Sequence, residues 1–275
     1  MTRLRPFCPA DAGLLLEWRN SAAHRRWSFS DRPIDPDEHR RWFGRFLEDP
    51  RRIGFILEDD AGLPLGQVRF DPASPGMLRV SIGISPDHLG RGIGTRLLSE
   101  AVGRPEVAGR GVLVRAETFL ENLPSRRIFE KAGFVSLGER DRDGHRYIEW
   151  IRPVGDGLRG VRYRIVSAGA DAACADLAQL LSGAGFPPDA SGDDRCSQLL
   201  CVAAGRLAAV PLDAGERVCF LLPAGEPVII EQNKISQNIP EELAAAGETL
   251  ADRAVCLLAW LAVRDRKTGE QENRR

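Results

Sequence analysis

Apolar residues follow a helical spacing from Asp11 to Asn20, where Leu14, Leu15, Leu16 and Trp18 recur on one stripe. A second helix is signalled by Asp35-Pro36-Asp37-Glu38: Asp as N-cap, Pro in the first turn, Glu at the capping-box position. Its apolar face carries His39, Trp42, Phe43 and Phe46. The pattern then shifts to strands. Thr2 to Arg5 reads as a short strand stopped by Pro6, and Ile53 to Glu58 and Gln67 to Asp71 as a pair joined through Asp59-Asp60-Ala61-Gly62. Met77 to Ser85 is the next strand. A helix from about Thr95, a strand over Val112 to Glu117 and a helix over Pro124 to Ala132 follow. Phe134 to Glu139 and Arg146 to Ile151 close a hairpin around Asp143-Gly144.

After Pro153-Val154-Gly155-Asp156-Gly157 the composition turns toward Ala, Leu and Cys, which marks a domain border. The expected organisation is a first domain over 1–153, a linker over 154–160 and a smaller α/β domain over 161–275. That second domain is expected to hold strands at Val161 to Val166, Gln198 to Val202, Val218 to Leu222 and Pro227 to Glu231. Its helices are expected at Asp171 to Leu181, Pro240 to Ala246 and Leu250 to Val263.

A chain of 275 residues suits two domains, and a net charge of −1 with 28% charged residues carries no global attraction to nucleic acid or membrane. Any anion site has to be local. The six cysteines form no CxxC or Cys/His ligand spacing, so no metal is expected, and reduced thiols in a cytoplasmic protein are. No apolar run is long enough to span a bilayer.

The local anion site lies between Val80 and Leu98, where an apolar strand runs through Leu89-Gly90-Arg91-Gly92-Ile93-Gly94-Thr95 into an amphipathic helix. Glycines there let successive N–H groups converge on an anion at a helix N-terminus, with Arg91 and Arg96 adding charge. The spacing matches neither a Walker A loop nor a dinucleotide fingerprint. Further on, Glu121-Asn122-Leu123-Pro124-Ser125-Arg126-Arg127-Ile128-Phe129-Glu130-Lys131-Ala132-Gly133-Phe134 is a short helix feeding a strand.

Together these two segments resemble the GNAT acetyltransferases, over about the first 153 residues. The resemblance implies an α/β (α+β) GNAT fold, a mixed central sheet flanked by helices, with acetyl-CoA as co-substrate. It implies that Leu89, Gly90, Arg91, Gly92, Ile93, Gly94 and Thr95 hold the pyrophosphate. It also implies that Ile82, Gly83 and Ile84, on a strand splayed from its neighbour, pair with pantetheine, and that Asn122 and Ser125 touch the cofactor. Two departures from the family pattern stand out. Leu89 replaces the usual Arg or Gln, and Phe129 stands where many members carry a proton-donating Tyr.

For the base, Glu117 is a candidate, the alternative being a salt bridge to Arg115 or Arg79; His39 is the other, the alternative being a packed core histidine. Ser125 and Tyr147 are candidate donors to the leaving thiolate. The N-terminal runs Leu16 to Asn20, Arg26 to Phe29, Glu38 to Phe43 and Gly66 to Asp71 resemble acetyltransferases of nonulosonic (pseudaminic or legionaminic) acid biosynthesis. This implies acetylation of the 4-amino group of a UDP-linked amino-dideoxy sugar, with Trp18, Arg19, Asn20, Trp27, Trp42 and Arg69 contacting the acceptor. The peptide or ribosomal-protein N-terminal acetyltransferases share the Trp-Arg-Asn feature and are the alternative, as is a non-catalytic acetyl-CoA-binding protein. The expected partner is a small molecule, without nucleic acid or membrane; a homo-oligomer is left open. Gly225 to Asn233 and Asn238 to Gly247 faintly resemble the nucleotide-binding half of GT-B-type enzymes, against the alternative of an interaction or dimerisation module.

Overall fold

The structure is a computed structural model that describes residues 2–74 and 76–155, together with 164–168, 171–183, 198–203, 217–221, 228–231 and 234–236. The chain divides into two compact units, with the division after Gly155. In the first, β1 (Thr2–Pro6) is followed by α1 (Ala12–Asn20), α2 (Ala22–Arg25) and α3 (Pro36–Glu48). Next come β2 (Ile53–Asp59), β3 (Pro64–Ser74), β4 (Met77–Ile84), α4 (Ile93–Val102) and α5 (Pro105–Ala108). The unit closes with β5 (Leu113–Phe119), α6 (Leu123–Lys131), β6 (Val135–Arg142) and β7 (His145–Pro153). Its seven strands take the order β1-β2-β3-β4-β5-β7-β6. The sheet is mixed: β4 and β5 run parallel, whereas β1/β2, β2/β3, β5/β7 and β6/β7 are antiparallel.

Helices cover both faces, which is why β2 is buried continuously from Ile53 to Glu58 instead of alternating. Phe55 and Leu57 join the larger core with Leu97, Leu98, Phe129, Phe134 and Trp150. Ile56, on the other face, packs with Phe7, Leu15, Phe43 and Phe46. Gly54 is required at the second face, because a Cβ there would lie 2.1 Å from the Phe7 ring. Asp35 caps α3 as expected, accepting from the N–H groups of Asp37 and Glu38. Glu38 does not complete a capping box; its carboxylate pairs with Arg32 at 3.0 Å. The four-residue α5 had no periodic pattern to announce it.

Arg5 clasps the N-terminal segment to β2. Its guanidinium donates to both Asp11 carboxylate oxygens at 2.7 Å and to Glu58 at 2.5 Å. Burial pushes Asp11 up, but Arg5 and the Cys8 N–H outweigh it and hold the carboxyl below its ordinary value. Arg5, ahead of a smaller opposing effect of burial, does the same for Glu58. Depressed carboxylates contribute stability above their unfolded values and lose it as the pH falls through the folded ones, so this clasp weakens below about pH 4. Arg5→Met is expected to lower Tm at pH 7 by roughly 5 °C and to flatten the acid decline, checked by thermal melts from pH 7 to pH 3.

The second unit contains β8 (Arg164–Ala168), α7 (Asp171–Gly183), β9 (Gln198–Ala203), β10 (Arg217–Leu221), β11 (Val228–Glu231) and β12 (Lys234–Ser236). The sheet order is β12-β11-β10-β9-β8, parallel from β8 to β10 and antiparallel from β10 to β12. The β8-α7-β9 crossover is that of an α/β unit. The helices expected at 240–246 and 250–263, and most of the 154–160 linker, lie outside the described residues. Among the described residues, no helix is long and apolar enough to cross a membrane.

Candidate active site

β4 and β5 pair only at Met77↔Leu113, Leu78↔Val114 and Arg79↔Arg115. Beyond Arg79 the two strands separate, which leaves backbone groups of Val80 to Ile84 without a partner on β5 and opens a cleft between them. The sequence turns β4 into the glycine loop at the wide end of that cleft. Gly90 and Gly92 both have φ +75°, a left-handed conformation that a side chain would strain. Gly92 is the N-cap of α4, which therefore starts at Ile93, two residues earlier than its periodicity indicates. Gly94 faces α6: a Cβ there would lie 2.4 Å from Ile128 Cδ1, so the helices meet only because no side chain intervenes.

The cleft forms a cavity of about 1230 Å³. Ile82, Gly83, Ile84, Leu89, Gly90, Gly92, Ile93, Gly94, Thr95, Asn122, Ser125 and Phe129 all line it, as do Trp18, Arg19, Trp27, His39, Trp42, Arg69 and Glu117. Three expected site residues do not. Arg91 is exposed outside the lining. Asn20 spends its side chain on the loop before α3, donating to the Ile34 carbonyl and accepting from its N–H. Tyr147 is buried behind Phe29, with its hydroxyl accepting from Arg142 at 3.4 Å. Neither Asn20 nor Tyr147 therefore presents a polar atom to the cavity.

Glu117 is held in a two-pronged ion pair by Arg142 of β6, at 2.8 and 3.2 Å. Of the partners anticipated for it, Arg115 meets the buried Glu149 instead, and Arg79 is exposed. Arg142 also stacks over Phe29 at 4.5 Å, and that ring packs on Phe119. His39 is 5% exposed and stacked on Phe43. Burial, then the nearby Arg69, lowers its pKa, which favours the neutral imidazole. Phe129 lies edge-on to Phe134 and stacks on Trp150, whose indole N–H donates to Thr118 at 2.8 Å. Asn122 caps α6 by accepting from the Ser125 N–H.

Lining residues that the sequence did not single out include His24 of α2 and Arg142 of β6, which meet the rest of the cleft only through the fold. Gln67 and Arg69 were separated from the glycine loop by a strand and a hairpin. Only the placement of β4 beside β3 brings them to the cleft.

The family model "Acetyltransferase (GNAT) domain" matches residues 2–135. YwnH of Bacillus subtilis, named for phosphinothricin acetylation, is 30% identical over 140 residues, covering 47% of this chain and 83% of that protein. The chain belongs to the GNAT acetyltransferase family. Two further GNAT relatives are an L-methionine sulfoximine/L-methionine sulfone acetyltransferase of Salmonella typhimurium and the L-amino acid N-acyltransferase MnaT of Escherichia coli. The first is 26% identical and covers 52% of this chain and 85% of its own; the second is 25% identical, covering 52% and 84%. The spermidine N-acetyltransferase of Vibrio cholerae, solved with CoA and spermine, shares the fold at 18% identity. Its TM-score is 0.50, over 56% of this chain and 95% of that one.

Acetyl-CoA is the co-substrate of this GNAT enzyme, and the cleft suits it. The left-handed glycines and the N-terminus of the ten-residue α4 would place N–H donors for phosphate, and the unpaired stretch of β4 has backbone groups that could pair with an amide-bearing arm. Bound acetyl-CoA supplies the activated acetyl thioester. The protein contributes the fixed backbone donors, a cavity walled by Ile82, Ile84 and Ile128, and the groups that receive the acceptor amine.

Proposed function

We propose that the enzyme transfers acetyl from acetyl-CoA, by direct attack within a ternary complex, to the primary amine of a small acceptor that also carries an anionic group. The charge of the cavity carries this reading. Eight basic side chains line it (Arg19, Arg26, Arg45, Arg69, Arg79, Arg127, Lys131 and Arg142) against three carboxylates (Glu38, Asp71 and Glu117), in a chain whose net charge is −1. Part of that excess serves the phosphates of acetyl-CoA. The rest includes Arg69, which stacks on Trp42, and Arg19, which follows Trp18 in α1. Arg19 Nη1 is buried without a hydrogen-bond partner, and Arg69 Nε has only an ion-pair contact to Asp71 at 3.4 Å. Buried donors left open in this way suit an acceptor oxygen.

Two acceptor chemistries fit. An α-amino acid or an analogue places a carboxylate beside its amine, and the three curated relatives are named for such substrates. A UDP-linked amino-dideoxy sugar would place its diphosphate among the arginines and its deoxy face on Trp18, Trp27 or Trp42. A peptide N-terminus, cationic and without a fixed anion, is disfavoured by the same charge. The test is acetyl-CoA-dependent thiol release with mass detection of the product. The panel holds L-methionine sulfone, phosphinothricin, a UDP-4-amino-dideoxy sugar and Ser-led peptides. Turnover of an anionic small amine is expected; turnover of peptides alone would overturn the reading.

With both oxygens on Arg142, Glu117 serves chiefly to hold the β6–β7 hairpin against Phe29. Glu117→Gln is therefore expected to cost less than about tenfold in kcat and to raise proteolysis near Asp143. A loss of ~100-fold or more would make Glu117 the base instead.

A further inference from the structure

Each carboxylate that lines the cavity is occupied by an arginine: Glu38 by Arg32 at 3.0 Å, Asp71 by Arg52 and Arg69 at 3.6 and 3.4 Å, and Glu117 by Arg142 at 2.8 Å. An acceptor amine arrives protonated at neutral pH and has to lose a proton before its nitrogen attacks. His24 meets that need. Its Nδ1 lies in hydrogen-bond contact with the Trp18 carbonyl oxygen, which only accepts, and 3.3 Å from the Ser21 hydroxyl oxygen; the carbonyl contact favours the tautomer with the ring proton on Nδ1. The Ser21 hydroxyl donates to that same carbonyl at 2.7 Å and does not compete for the role. A neutral imidazole protonated at Nδ1 has its lone pair on Nε2. That atom points over Gly83, in the unpaired stretch of β4: a Cβ on Gly83 would lie 3.4 Å from His24 Nε2 and 3.1 Å from Gln67 Nε2.

The position along the strands is apt. Gln67 and Arg69 are two residues apart on β3 and so share a face, which puts His24 about 7 Å from the level of Arg69, toward the glycine loop. That is the span of a small acceptor with its anion at Arg69 and its amine at the thioester. His39, also on the cavity wall, is stacked on Phe43 and faces Arg69, a cation that opposes its protonation.

We propose that His24 Nε2 is the general base that deprotonates the acceptor amine, with the Trp18 carbonyl as its orienting partner. The inference rests on the acetyl-transfer reading. Nε2 takes one proton from the ammonium group, and the freed lone pair forms the N–C bond at the thioester carbonyl. The C–S bond breaks with its electron pair on sulfur, the second amine proton goes to that thiolate, and the imidazolium returns its proton to solvent. The products are the acetamide, CoA thiol and one released proton.

His24→Asn tests this without disturbing the turn, because the Asn amide can still donate to the Trp18 carbonyl while the lone pair is gone. With L-methionine sulfone and phosphinothricin as acceptors, kcat is expected to fall ~100-fold or more while the KM for acetyl-CoA stays within about threefold. Added imidazole is expected to restore part of the rate in His24→Ala. In the wild-type enzyme, diethyl pyrocarbonate is expected to modify His24, located by mass spectrometry, and acetyl-CoA to shield it. A kcat within about threefold of wild type in His24→Asn, or a His24 that resists the reagent in the folded enzyme, would overturn the assignment. If the wild-type enzyme turned over no acceptor at all, the acetyl-transfer reading would fail and the base role with it, whereas turnover with an unaffected His24→Asn variant would overturn the base assignment alone.

Discussion

Gly92→Val is expected to weaken acetyl-CoA binding at least ~10-fold while leaving Tm nearly unchanged. Gly92 is exposed, and a Cβ there would meet nothing within 4 Å, so the substitution removes no packing and creates no clash. What it changes is the backbone. At φ +75° a β-branched residue costs on the order of 1–2 kcal/mol, which the loop avoids by abandoning the left-handed turn. The N–H groups at the start of α4 then no longer converge on the pyrophosphate. A difference of 1.4 kcal/mol is tenfold in affinity. Isothermal titration with CoA on the variant checks this. Gly94→Val provides the contrast, since its side chain would drive into Ile128 at the α4–α6 contact and should lower Tm as well as affinity. Unchanged CoA affinity in Gly92→Val would remove the loop from the binding site.

Arg69→Met is expected to raise the KM of an anionic acceptor ~30- to 100-fold and to leave the KM of acetyl-CoA unchanged. The guanidinium stacks on Trp42 at 4.7 Å, and a methionine side chain keeps much of that contact area. The loss is therefore chiefly that of a charge-assisted hydrogen bond, worth about 2–3 kcal/mol when half-buried. Asp71 retains Arg52 as a partner, so the variant does not strand a carboxylate. Steady-state kinetics with an anionic amine and with its neutral ester separates the readings. The ester should lose little, and an equal loss for both would assign Arg69 to packing.

The local structure of the first unit was legible because its signals are local. The Asp35-Pro36 start of α3, the Asp143-Gly144 turn and the Gly133 stop after α6 are each set by the conformational preferences of a few adjacent residues. The glycine loop belongs to the same class: Gly90 and Gly92 adopt φ values disfavoured for other residues, and the strand before and the helix after them suggested an anion cradle. The family followed from that loop together with the Asn122 to Phe134 segment.

Which side chains face the reaction could not be read in this way. Glu117 stood at the end of a strand near the splay with Arg115 two residues away, yet the partner that reaches it is Arg142, brought by a hairpin. Tyr147 was one of two tyrosines in the chain, but strand alternation and the Phe29 ring keep its hydroxyl from the cavity. His24 sits in a four-residue helix with no sequence signature, with its Nδ1 against a carbonyl six residues earlier. The sequence by itself determined most of the elements, which depend on backbone preference and periodicity along the chain, and pointed to the family through the resemblance that its two motifs carry. Only the tertiary structure decided the charge of the cavity and which of its ionisable groups are already paired, because those depend on which side chains from distant strands converge.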